Sequence, residues 1–170
     1  MRSDPRLRLP IMMVAALLLQ TTVLARMRVF GVMPDLMLLV AVAGGITAGS
    51  SRGAALGFAS GMLIDLFLPT PLGLSALVFT LVGYAVGVAN TGVLRSAWYI
   101  PMLTAGAASV VGVVLYALVG SMLGERMVDG HLVTIAVVVG LSNAVLAPVV
   151  VRFVDWSWGS LKAGAPMHSL

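Results

Sequence analysis

The sequence predicts an all-α integral membrane protein, a bundle of six transmembrane helices. Of its 170 residues, 60% are hydrophobic and only 9% are charged, whereas an ordinary soluble domain is about a quarter charged. The apolar residues come in consecutive runs rather than as one stripe of a helix, so the segments face lipid or other buried helices. Breaks of glycine, proline or basic residues divide these runs into six.

The first run covers residues 9–25, after a cytoplasmic N-terminal tail (1–8) with Arg2, Arg6 and Arg8, and before Arg26 and Arg28. Its ending, Val23-Leu24-Ala25, loosely resembles a leader cleavage site. Polar Gln20-Thr21-Thr22 interrupts the run and more spans follow, which favours an uncleaved helix. Residues 34–69 are apolar for too long to be one crossing, since about 20 residues span the hydrocarbon core. The break Gly49-Ser50-Ser51-Arg52-Gly53 splits them into helices 34–49 and 53–68, a hairpin with Pro34 in its first turn and Pro69-Thr70-Pro71 as its stop. The fourth, fifth and sixth helices cover 72–90, 99–123 and 132–154, completing a transmembrane domain over 9–158. Residues 159–170 show no periodicity and read as a flexible cytoplasmic tail.

Six crossings put both termini on one side. That side carries Arg2, Arg6, Arg8, Arg52, Arg95, Arg152 and Lys162, against Arg26, Arg28 and Arg126 on the other, a count of seven to three. The positive-inside bias then makes the termini cytoplasmic, and Trp98, Tyr99, Trp156 and Trp158 fall at the same boundary, where amphipathic rings prefer to sit. The net charge of +4 thus speaks of membrane orientation rather than of nucleic acid.

Zero cysteines exclude disulfides, thiolate nucleophiles and cysteine metal sites. His131 and His168 have no histidine spaced to share a metal, and no nucleophile–base set or phosphate-binding loop is present. The expected protein is not an enzyme and has no catalytic, cofactor or metal residues.

Glycines recur at every fourth position at Gly45, Gly49, Gly53, Gly57 and Gly61, and again at Gly83 and Gly87. A small face lets helix backbones approach, which matters in lipid because no hydrophobic force acts between helices. Packing within the bundle comes first, and a face for a partner helix is the other reading. Asp65 lies about a turn before Pro69; a carboxylate at the bilayer centre costs roughly 3 kcal/mol, and near the boundary an ion pair with Arg26 or Arg28, or a helix-end hydrogen bond, suffices to hold it. A ligand or partner contact is its alternative role. Gln20, Thr21, Thr22, Tyr84, Ser142 and Asn143 are further polar groups in or near apolar runs.

Pro34-Asp35-Leu36, Gly53-Ala54-Ala55-Leu56-Gly57-Phe58, Gly61-Met62-Leu63-Ile64-Asp65, Pro71-Leu72-Gly73-Leu74-Ser75-Ala76-Leu77 and Leu81-Val82-Gly83-Tyr84-Ala85-Val86-Gly87 resemble the MreD family of rod shape-determining proteins. The specific likeness covers the second to fourth helices. It implies a bacterial inner-membrane scaffold of the cell-wall elongation machinery that binds MreC directly and works with RodA, a class B penicillin-binding transpeptidase and MreB. It also implies a fold resembling the substrate-binding subunits of energy-coupling-factor transporters. Asp35, Gly57, Gly61, Asp65, Gly73, Gly83, Tyr84 and Gly87 are the resulting partner or packing candidates. The competing functions are a small-molecule (vitamin-type) binding subunit of a transporter and, last, a lipid-modifying enzyme using Asp35, Asp65, Glu125 and Asp129.

Overall fold

The computed structural model describes residues 5–24, 32–69, 71–90, 99–124 and 130–162. Its helices are α1 (Pro5–Leu19), which passes into a π-helical turn (Gln20–Leu24), then α2 (Leu36–Ala48), α3 (Ser50–Asp65), α4 (Leu74–Asn90), α5 (Ile100–Met122) and α6 (Leu132–Lys162). A helix that is apolar all round belongs in an interior, and α2 is the axis of the bundle. Every residue from Leu36 to Gly45 is buried, and α2 touches each of the other five helices.

The second-to-fourth-helix core contrasts with α5 and α6. Both α5 and the Leu132–Ser157 part of α6 are long and apolar enough to cross a membrane, yet only 22% and 28% of their apolar windows are buried. Leu103, Leu141 and Val145 are each about two-thirds exposed. Such helices would be insoluble in water, whereas lipid tails solvate them at no cost.

Two cross-helix contacts fix the ends of the bundle. The Arg8 guanidinium lies 4.9 Å from the centroid of the Trp156 ring, and Asn90 Nδ2 donates to the Ile46 carbonyl at 2.6 Å. The start of α1 and the ends of α2, α4 and α6 therefore share one end of the bundle, and the chain returns there after its six helices.

The α3–α4 seam is the tightest in the fold, and glycine makes it so. A Cβ on Gly53 would stand 2.5 Å from the Gly83 carbonyl oxygen; one on Gly57 would strike the Phe79 carbonyl, on Gly61 the backbone of Ala76, and on Gly87 the backbone of Ser50. The regular spacing in sequence thus becomes backbone-on-backbone contact, the packing that holds helices together when hydrophobic association is absent.

Helix bounds differ from those expected at several places; Pro34, expected in the first turn of the second helix, lies before it, because Asp35 is the N-cap of α2. The break between α2 and α3 is the one residue Gly49 instead of the three, 50–52, between the expected helices: Gly49 turns the chain with φ of +87°, its N–H bonding back to Gly45 and its carbonyl accepting from Gly53. Only glycine enters that region freely. Helix α3 stops at Asp65, short of residue 68: the Phe67 and Leu68 N–H groups close a last turn on the Ile64 carbonyl, and Pro69 has no N–H to continue it. Helix α1 already begins at Pro5, inside the expected tail, proline being suited to a first turn. Helix α6 continues beyond 154 to Lys162, so residues 159–162 are helical rather than a flexible tail. Val154 is buried with Met13, Ala43 and Leu56, and Ser157 is fully buried, so burial against α1 to α3 carries the helix on. Residues 163–170 and Trp98 lie outside the described residues.

Candidate functional site: polar joints around a recess

A helix start leaves N–H groups without partners. Helix α4 follows Leu72 and Gly73, whose side chains offer no oxygen. The acceptor comes from the preceding helix. Asp65, 1% exposed, takes the N–H of Gly73 at 2.8 Å, of Ser75 at 3.2 Å and of Ala76 at 3.3 Å. Gly73 makes the approach with φ of +96°. Hydrogen bonds to a charged acceptor contribute roughly 1.5–3 kcal/mol each, and a helix N-terminus favours an anion. Together they exceed the roughly 3 kcal/mol that a carboxylate costs even at the bilayer centre.

Helix α2 is capped twice over. Asp35, its N-cap, accepts the Leu38 N–H at 3.1 Å, and Gln20 of the π-helical turn accepts the Met37 N–H at 3.0 Å. A π-turn shifts the helix register by a residue, and here it delivers Gln20 to a neighbouring helix start.

Asn143 closes the set. Fully buried on α6, it donates through Nδ2 to the Asp35 carbonyl at 3.0 Å and to Ser109 Oγ of α5 at 2.9 Å. At 1.5 Å per residue Asn143 lies roughly 16 Å along α6 from Leu132, so α2 starts deep within the bundle rather than at its rim. Its late start leaves a recess. A cavity of about 340 Å³ opens there, lined by Gln20, Asp35, Ile64, Ser75, Phe79 and Tyr116, among others.

The structure thus brings Asp35 and Asp65 to the same half of the bundle, with Gly73 beside Asp65 and the recess next to Asp35, sets Gly57, Gly61, Gly83 and Gly87 in the α3–α4 seam, and leaves Tyr84 apart on the outer face of α4, 52% exposed. Thr21 and Thr22 bond back to Leu17 and Leu18 carbonyls of their own helix, as isolated hydroxyls in helices do. Asn90 and Ser109 are joints that the sequence reading did not single out; an amide or hydroxyl inside an apolar run was the available signal. Arg26, Arg28, Arg95, Glu125, Arg126, Asp129 and His168 lie outside the described residues, and with them the ion pairs and acidic cluster considered for Asp35 and Asp65. Among the described residues no group of three His, Cys, Asp or Glu is placed to hold a metal.

These features define a helical membrane protein whose interior polar groups join one helix to another. The model of the family described as rod shape-determining protein MreD matches residues 1–155. The chain belongs to the MreD family, and its role lies in rod-shape determination within that machinery. No curated protein and no solved structure matches it.

Proposed function

We propose that this chain is a non-enzymatic, six-span scaffold of the inner membrane, both termini cytoplasmic, that binds MreC directly and thereby supports peptidoglycan synthesis by RodA and a class B penicillin-binding transpeptidase, alongside MreB. The observation that carries this reading is the use of the interior polar side chains. Asp65 caps α4, Asp35 and Gln20 cap α2, and Asn143 ties α6 to α2 and α5. Groups so engaged fix helix positions and leave the outer faces, such as the exposed α4 stripe of Leu77, Leu81 and Tyr84, for docking. A bundle like the substrate-binding subunits of energy-coupling-factor transporters suits this arrangement, with the recess beneath its outer end.

The test is recovery of MreC with the tagged chain from bacterial membranes, beside cell shape. Tyr84→Ala removes exposed surface only, so it should leave the amount of folded protein unchanged and lower MreC recovery if α4 is the docking face. Failure of the unaltered chain to retain MreC, with rods intact in its absence, would remove the scaffold reading. The recess favours a second reading, a small-molecule binding subunit, since about 340 Å³ falls within the size range of ligand sites. Mass spectrometry of the purified protein for a co-purified small molecule decides between them.

A further inference from the structure

Two furrows meet along α6, the first of them lying between it and α1. One, of about 380 Å³, is lined by apolar residues only, including Met12, Ala15, Leu19, Val149 and Phe153. The other, of about 590 Å³, is lined by Pro148, Val149, Arg152, Phe153 and Trp156. Val149 and Phe153 belong to both, so the furrows form one groove, apolar along its length and cationic at its head. Arg152 and Trp156 are a turn apart on α6 and share a face, and the Arg8 guanidinium stacks on that Trp156 ring. The Arg8 Nε is buried and has no hydrogen-bond partner.

We propose that this groove binds one anionic phospholipid, its phosphate held by Arg8 and Arg152 beside Trp156 and one acyl chain lying along Met12, Ala15, Leu19 and Phe153. Three arguments identify the occupant. The distance from Arg8 to Leu19 along α1 is roughly 16 Å at 1.5 Å per residue, close to half of a hydrocarbon core of about 30 Å, which is the depth of one leaflet. The inner groove offers no polar side chain, so what fills it is hydrocarbon. The head is lined by the Arg152 guanidinium, a group that binds phosphate in a forked geometry, and by Trp156, an aromatic ring of the kind that sits at headgroup level, on which the second guanidinium, that of Arg8, is stacked. Basic residues at that level attract anionic lipid.

Native mass spectrometry of the full chain, released from detergent in an equimolar mixture of phosphatidylglycerol and phosphatidylcholine, tests this. The unaltered protein should retain one phosphatidylglycerol with at least about a tenfold preference, a difference of about 1.4 kcal/mol. Arg152→Gln, and the pair Arg8→Gln with Arg152→Gln, should bring the two lipids towards parity. Ala15→Trp, which fills the apolar furrow without touching the head, should lower retention of both. Because Ala15 and Arg152 are exposed, these single variants should melt like the unaltered chain in detergent, so that lipid loss is read apart from unfolding. Equal retention of the two lipids by the unaltered chain, or a preference that survives Arg152→Gln and Ala15→Trp alike, would overturn the proposal.

Discussion

The Asp65 carboxylate accepts the N–H of Gly73 at 2.8 Å, so the last residue of α3 serves as the cap of α4. This single contact explains why Gly73 adopts its left-handed conformation and how a carboxylate is kept among apolar helices. Asp65→Asn removes a charge and its burial cost, and without a partner for the carboxylate it would be neutral or favourable for stability. In the structure three backbone donors converge on the carboxylate, and an amide offers one oxygen and turns two further donors toward them.

Asp65→Asn should therefore lower the stability of the α3–α4 pair by roughly 1.5–3 kcal/mol, about one charge-assisted hydrogen bond, and Asp65→Ala by more. Thermal unfolding in detergent reads the effect. A midpoint unchanged by either substitution would leave the cap without energetic weight.

Gly57→Ala and Gly61→Ala should already reduce the yield of folded protein, because even a Cβ meets the Phe79 carbonyl or the Ala76 backbone. Ala55→Leu, at an exposed position on the same helix, should be tolerated. Gel-filtration profiles of the three variants compare them, and equal tolerance would separate the glycine spacing from the packing.

Asn143→Ala and Ser109→Ala should show energetic coupling, since each removes one end of a buried hydrogen bond of 2.9 Å. Cross-helix hydrogen bonds in membranes average about 0.6 kcal/mol. A double-mutant cycle on unfolding free energy should give a value of that order, while strict additivity would show that the bond contributes nothing.

A cysteine at Gly130, exposed beside the start of α6, should react with an impermeant thiol reagent applied to whole cells. Fluorescent reporters active only in the cytoplasm should light up at both termini, following the seven-to-three bias of basic residues. Opposite labelling of the two termini would break the six-crossing topology.

The class of the molecule was legible from composition and run length. A chain that is 60% hydrophobic and 9% charged has only one solvent in which its surface is stable, and that inference needs no coordinates. The number and order of helices follow as well, because glycine, proline and basic breaks act on the chain locally. So does the small face at Gly53, Gly57 and Gly61, since a repeat of four residues stays on one side of a helix. The extension of α6 was not legible, being set by Val154 meeting Met13 and Leu56.

The tasks of the polar residues belong to the tertiary structure alone. Gln20 and Asn143 stand out in the sequence as polar groups in apolar runs, but nothing local tells which helix end each one serves. Asn143 and Asp35 are separated by 108 positions, and their meeting depends on how far α2 is set back between α5 and α6. Composition and periodicity are properties of neighbouring residues, and they determined membrane class and helix count. The pairing of a donor with an acceptor on another helix is a property of packing, and it decided that Asp65, Asp35, Gln20 and Asn143 act as joints around a recess.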